Sequence, residues 1–263
     1  MSPGYALRVT VLASGSAGNA VLLESNGDRV LVDAGLSAEA IERALAAVGV
    51  RPEMLGAILL THEHDDHARG AGPIGRTAGV PVLANAATLE AAGKALTGAT
   101  LRAFETGRPF EIGRFEVTAF PVPHDAAEPV GFTIAAGARR VAVATDLGSA
   151  GETLDGHFAG ADLVVLESNY DLGLLHVSGY PWFLKNRILS GRGHLSNDDA
   201  ARALARTAAG RRRMICLAHL SEVNNLAALA RDTVGDALVR AGRAADPVLA
   251  VPPNGRSVPI ILD

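Results

Sequence analysis

Thr61-His62-Glu63-His64-Asp65-Asp66-His67 follows directly on the apolar run Ala57-Ile58-Leu59-Leu60. A buried strand therefore opens into a loop that carries three imidazoles and a pair of adjacent aspartates. A solvated helix start would account for polarity alone. It would not account for three of the chain's eight histidines falling within six positions of a 263-residue sequence. Imidazole and carboxylate donors suit borderline divalent metals, and an H-x-H-x-D-H order lets one short segment reach two adjacent ions.

Further donors occur one at a time along the chain, each closing an apolar run: Asp33 in Val30-Leu31-Val32-Asp33-Ala34-Gly35, His124 in Val122-Pro123-His124-Asp125, Asp146 in Ala144-Thr145-Asp146 and His219 in Leu217-Ala218-His219. Taken in this order with His62, His64, Asp66 and His67, the set resembles the metallo-β-lactamase superfamily over nearly the whole chain. That resemblance implies an α/β fold of the αββα four-layer sandwich type. It also implies two divalent metal ions: His62, His64 and His124 on one, Asp66, His67 and His219 on the other, and Asp146 bridging. Spacing alone assigns none of these partners. Nitrogen and carboxylate donors without thiolate suit Zn2+ but also Mn2+ or iron. Two such ions can share a hydroxide and stabilise both the attacking and the leaving oxygen of a phosphoryl displacement. Asp33 reads as a residue behind the ligands, orienting one of them or the nucleophile.

Composition limits the remaining possibilities. A 27.0 kDa chain that is 48% hydrophobic can build one large domain, taken here as residues 1–263. No apolar run approaches the roughly 20 residues that cross a bilayer, and the start of the sequence lacks a charged region followed by a long apolar stretch. No membrane association and a cytoplasmic location are therefore expected. The single cysteine, Cys216, precludes an internal disulfide framework and is read as a buried strand residue. A net charge of −4 gives the molecule no general attraction to nucleic acid, so any contact must come from a local patch.

Arg8–Ala13 and Ala20–Glu24 read as strands, with Asn26-Gly27 turning the second into Val30-Leu31-Val32. A helix is expected from Ser37 to about Val48, stopped by Gly49, and another from Asn85 to Leu96 after the short strand Val80–Leu83. Strands near 115–122, 130–135, 140–144 and 163–166 then lead to helices around 181–189 and 197–208. Strands in runs with helices between them indicate a layered α/β domain.

Two residues bear on the chemistry. Glu167, in Leu166-Glu167-Ser168-Asn169-Tyr170-Asp171, and His194, in Gly193-His194-Leu195-Ser196, resemble the glutamate and histidine that phosphodiesterase members of the superfamily carry between the bridging aspartate and the last ligand. A carboxylate-held histidine suits a general acid for the leaving oxygen. The competing reading is that His194 supports the next helix, whose Ser196-x-x-Asp199 has capping-box form. Together with Leu12–Ser16, Tyr180-Pro181-Trp182 and Lys185–Ser190, these segments are most similar to the YycJ/WalJ-type branch, which implies a metal-dependent 5′-to-3′ exonuclease whose partner is nucleic acid, DNA in particular. The alternative is a hydrolase of small phosphodiesters or thioesters with the same fold. A metal-binding scaffold without catalysis is disfavoured by the complete donor set.

For substrate contacts the sequence offers the loop Ser14-Gly15-Ser16-Ala17-Gly18-Asn19, either a backbone cradle for an anion or a tight turn serving the fold. Ser14, Ser16 and Asn19 are its polar members. It also offers Lys185, Arg187 and Arg192, with Tyr180 and Trp182 beside them, to stack a base and hold phosphates; core packing is an equal reading of Trp182. His157 and His176 read as ordinary loop or surface residues, and Arg211-Arg212-Arg213 as a solvated turn before a strand.

Overall fold

The computed structural model describes residues 7–207 and 212–263. Along the chain β1 (Leu7–Ala13), β2 (Ala20–Ser25) and β3 (Asp28–Val32) form a meander and α1 (Ala38–Ala46) follows. Next come β4 (Ala57–Leu59), α2 (Asp65–Ala68), α3 (Ala71–Ala78), β5 (Val82–Ala84), α4 (Ala86–Ala92) and β6 (Leu101–Ala103), then β7 (Phe110–Ile112), β8 (Phe115–Pro121) and β9 (Val130–Ala136). The remainder is β10 (Arg139–Ala144), α5 (Asp155–Ala159), β11 (Leu163–Glu167), α6 (Leu172–Val177), α7 (Trp182–Leu189), α8 (Asn197–Arg206), β12 (Met214–Ala218), α9 (Ala227–Arg240), β13 (Val248–Ala250) and β14 (Ile260–Leu262). No helix among the described residues is long and apolar enough to cross a membrane.

The chain divides into two compact units. One comprises the sequence up to Pro121 with Ala126–Arg139 and Asn254–Asp263; the other comprises Val122–Asp125 and Arg140–Pro253. In the first unit a seven-stranded sheet runs β14-β1-β2-β3-β4-β5-β6. Its meander half is antiparallel and its β3-β4-β5-β6 half is parallel. Asn26 and Gly27 turn β2 into β3 with φ of 47° and 97°, as a two-residue hairpin requires. The end of the sequence returns to pair with β1, with Leu7 opposite Leu262, and Ser257 Oγ accepts from Val11 N at 2.9 Å. In the same unit β7, β8 and β9 pair antiparallel. In the second unit β10, β11, β12 and β13 pair in that order, all parallel. Their apolar sequences follow from burial: β11 is buried at every position.

Helix starts follow side-chain chemistry. Ser37, Asn85, Asp171 and Ser196 each accept a hydrogen bond from a backbone N–H in the first turn of the helix they precede. The expected helix 85–96 is shorter than read, because Gly93 at φ 43° ends α4 and a 3-10 turn completes the segment. Helix 197–208 ends at Arg206; Ala208 lies outside the described residues. The solvated turn read at 211–213 is corrected at Arg213, which is only 4% exposed. Its guanidinium donates to the carbonyls of Phe158, Leu204 and Thr207 and so closes the C-terminal end of α8. Arg211 lies outside the described residues.

The loop after β3 is tightly knit to the loop after β4. Asn19 N donates to Asp66 O at 2.8 Å, Gly35 N to Asn19 O at 2.9 Å and Ala34 N to His67 O at 2.8 Å. A Cβ on Gly35 would lie 1.6 Å from Asp66 O, so no side chain fits without displacing that backbone. Gly35→Ala is expected to cost about 1–3 kcal/mol as an overpacked site, roughly 3–10 °C in Tm for a chain of this length. Gly156→Ala, where an added Cβ meets nothing within 4 Å, should melt no lower than the parent. Equal melting of the two variants would contradict the packing argument.

Cys216 is fully buried in β12, and burial pushes its thiol up to about 12. Under native conditions at pH 8 it should resist a thiol reagent that titrates one group per chain after denaturation. Rapid labelling of the native protein would contradict its placement.

Candidate metal centre

In the first unit, β4 delivers Thr61 and His62, and His64 stands at the N-terminal cap of α2, so that Asp66 and His67 fall in its single turn. His62 Nε2 and His64 Nδ1 lie 3.0 Å apart. That is close to the separation of two nitrogens each about 2.0–2.1 Å from one ion. Asp33, at the end of β3, organises the cluster: its carboxylate accepts from Thr61 N at 2.9 Å and Thr61 Oγ1 at 2.9 Å, and lies 2.8 Å from His67 Nδ1. A carboxylate can only accept, so His67 Nδ1 carries the proton and Nε2 presents a lone pair. That Nε2 is 3.7 Å from Asp66 Oδ2. Thr61 Oγ1, donating to Asp33, accepts from His62 Nδ1 at 3.0 Å and leaves His62 Nε2 as a donor of electrons. Thr61 was quoted in the motif but given no role; its hydroxyl has no signature in spacing.

In the second unit, three parallel strands end in the second cluster: β10 leads to Asp146, β11 ends on Glu167 and β12 leads to His219. Glu167 is fully buried, and its Oε1 faces His194 Nδ1 at 2.7 Å and His219 Nδ1 at 2.8 Å, while Oε2 accepts from Leu147 N and Leu195 N. Burial would raise the Glu167 pKa, but the two imidazoles outweigh it and hold it below the usual range. Burial likewise presses His194 down, and the charge and hydrogen bond of Glu167, with Asp146, outweigh it, so the His194 pKa is raised. His124 goes the other way, lowered chiefly by burial. Its Nδ1 donates to Gly193 O at 3.0 Å, which turns Nε2 outward as a lone pair. His219 Nε2, His194 Nδ1 and His124 Nε2 approach Asp146 Oδ1 at 3.6, 3.7 and 3.9 Å. The Asp146 oxygen and the Nε2 atoms of His219 and His124, beyond hydrogen-bond reach of it, are spaced as ligands of a common cation are, whereas His194 Nδ1, its proton on Glu167, is not free to ligate. The donors in both units, all nitrogen and carboxylate, fit divalent metal ions. Asn169, read only as part of a motif, donates through Nδ2 to His219 O at 2.9 Å and so holds the ligand turn.

Other sequence-derived residues are bonded mainly within the fold. The loop at 14–19 is closed on itself: Gly15 N donates to Asn19 Oδ1 and Gly18 N to Gly15 O, so those groups serve the turn rather than an anion. Asn19 is buried with Nδ2 3.0 Å from His67 Nε2, Ser14 is buried, and Ser16 is exposed. Lys185 Nζ donates to His176 O and Ser178 O at 2.7 and 2.8 Å and ties down the turn between α6 and α7. Arg187 pairs with Asp125 at 2.6 Å, and Arg192 Nε donates to His124 O at 3.1 Å. Core packing of Trp182 is overturned, since it is 70% exposed; Tyr180 is the one that packs inward. His157 and His176 join no group of convergent donors among the described residues.

A family model described as a beta-lactamase superfamily domain matches residues 28–219. The chain is 38% identical to "Exodeoxyribonuclease WalJ" of Streptococcus pneumoniae serotype 2 (strain D39 / NCTC 7466) over 240 residues, 89% of each chain. It is also 38% identical to "Exodeoxyribonuclease YycJ" of Bacillus anthracis, with 90% of each covered. Among solved structures, the metallo-β-lactamase-fold protein YhfI from Bacillus subtilis superposes with a TM-score of 0.74 at 21% identity, covering 96% of this chain and 99% of that one. With its ordered histidines and aspartates at strand ends and this match across most of its length, the chain belongs to the β-lactamase superfamily and has the metallo-β-lactamase fold.

Proposed function

We propose that the protein is a metal-dependent phosphodiesterase, a DNA exonuclease working 5′ to 3′. The observation that carries the reading is the buried Glu167 holding His194 at 2.7 Å, in a chain 38% identical over most of its length to proteins named exodeoxyribonucleases. The His194 side chain is 19% exposed, so its Nε2 edge can meet substrate while Nδ1 stays on Glu167. It donates the Nε2 proton to the leaving oxygen as the P–O bond breaks, and the carboxylate stabilises the charged imidazole beforehand. Asp33 acts through His67 and Thr61 as a positioning residue.

The two clusters are proposed to work as one dinuclear centre in a single domain: His62, His64 and His124 on one ion, Asp66, His67 and His219 on the other, Asp146 between them. Bound there, two Zn2+ or Mn2+ ions would activate water near neutral pH and neutralise charge on the phosphoryl oxygens. Arg192 remains a candidate phosphate contact, because one Nε bond leaves the rest of its five N–H donors. Lys185, with two of its three ammonium donors on carbonyls, has one left for such a contact. A cytoplasmic location accords with the thiol of Cys216 and a DNA substrate.

Protein purified without chelator should contain up to two divalent ions per chain by elemental analysis, and Asp146→Ala should lose metal. Metal-free protein even after reconstitution would refute the centre. His194→Ala should keep its ions yet lose about 10²–10⁴ in rate on DNA. On bis(p-nitrophenyl) phosphate, whose leaving group needs little protonation, the loss should be much smaller. Equal losses on both substrates would remove His194 from the acid role, and cleavage of small diesters without cleavage of any oligonucleotide would favour a small-molecule hydrolase instead.

A further inference from the structure

Among the described residues most aromatic side chains are at least partly buried; Trp182 and Phe183 are 70% and 75% exposed. They are consecutive, in the first turn of α7. The helix is held from behind: Tyr180 and Leu184 pack on Tyr170, Leu175 and Ile188, and Lys185 fixes the preceding turn through His176 O and Ser178 O. Two rings are thus presented to solvent on a rigid support, a poor use of apolar surface unless something covers them.

Their place on α7 selects the occupant. Ile188 lies six positions after Trp182, about 9 Å along the helix. Ile188 O then accepts from His194 N at 3.1 Å, so the rings and the proposed acid stand on one short, continuous support. A nucleic-acid strand rises about 3.4 Å per stacked nucleotide, which spaces the rings from the reacting phosphate by about two to four nucleotides. Every nucleobase offers a face to such rings, so the contact needs no sequence. A second copy of the chain is a weaker occupant. Two aromatic side chains supply at most about 300–500 Å², against about 800 Å² per partner in a stable interface, and exposed Asn186 and Arg187 stand one turn on from them.

We propose that Trp182 and Phe183 form a stacking platform for the bases of a single-stranded nucleic-acid end, about two to four nucleotides from the phosphate being cut. The proposal rests on the nuclease reading above. It gives the protein a grip on its substrate that does not depend on net positive charge, which the chain lacks.

Trp182 is the only tryptophan, so its emission reports the platform directly. The test titrates metal-loaded His194→Ala protein with single-stranded oligodeoxythymidylate and follows tryptophan fluorescence. Quenching is expected, and it should vanish when abasic residues replace the second to fourth nucleotides from the bound end but persist when they lie far along the strand. In otherwise wild-type protein, Trp182→Ala and Phe183→Ala should each raise KM for the oligonucleotide about tenfold. Wild-type cleavage of the oligonucleotide with unquenched emission and unaltered KM in both variants would overturn the platform and leave the nuclease reading standing. Failure of the wild type to cleave any oligonucleotide would overturn the nuclease reading itself. A concentration-dependent dimer that the double variant dissolves would assign the rings to a second copy and overturn the platform.

Discussion

Two carboxylates buried at strand ends govern the arrangement of the donors. Asp33 is 3% exposed and Glu167 is 0% exposed. A charge so placed is tolerated only where it is fully hydrogen-bonded, and breaking such a set by removing a partner typically costs about 3–5 kcal/mol. Both solve the problem in the same way, with backbone N–H groups and the Nδ1–H of an imidazole: Thr61 N and His67 for Asp33, Leu147 N, Leu195 N, His194 and His219 for Glu167. Satisfying the carboxylate fixes the imidazole tautomer, and the fixed tautomer turns an Nε2 lone pair of His67 and His219 away from the acid. Stability and metal affinity are therefore set by the same bonds, once in each unit.

The backbone pays for this placement in conformation. Asp33, Asp146 and His219 all adopt left-handed φ, 60°, 55° and 53°, where non-glycine residues are uncommon. Each stands just beyond a strand that has a parallel neighbour. Surrounding bonds hold these conformations. Asp33 N donates to Leu59 O at 2.8 Å, and Asn169 Nδ2 donates to His219 O at 2.9 Å. Strain persists where its neighbours over-determine it, and here the neighbours are themselves strand ends.

What was legible in the sequence was local. The H-x-H-x-D-H run, the aliphatic strands before each donor, the Asn26-Gly27 turn and the Ser37, Asn85 and Ser196 caps all act within a few residues, so their chemistry can be read in order. Contacts made across the chain could not. β14 was missed because Ile260-Ile261-Leu262 becomes a strand only by pairing with β1 more than 240 residues earlier. α9 was missed because Leu226 provides no side-chain cap and its buried stripe of Ala230, Val234 and Leu238 is thin. Arg213 looked like a surface turn because a run of arginines usually is one; carbonyls at a helix end that lack donors drew it inside. The ligand tautomers depend on Gly193 O, Thr61 Oγ1 and two carboxylates, and none of these pairings has a spacing that announces it.

The basic segment before His194 is bonded into the fold that carries it. Lys185, Arg187 and Arg192 read as phosphate contacts, yet each is tied to the protein's own frame. Arg187 holds Asp125, Arg192 holds the carbonyl of His124, and Gly193 O receives the Nδ1–H of His124. The same segment carries His194. Close packing enforces the arrangement: a Cβ on Gly193 would lie 2.2 Å from Arg187 O, and one on Gly148 would lie 2.4 Å from Arg192 N. One short stretch of chain therefore sets both a prospective metal ligand and the prospective acid, so a shift in either moves the other. Arginine serves this end because its fork grips a carboxylate or a carbonyl with direction, which a lysine ammonium does not. With these cations largely engaged in that framework, the segment offers a substrate the pair of exposed rings at the far end of α7 more than charge.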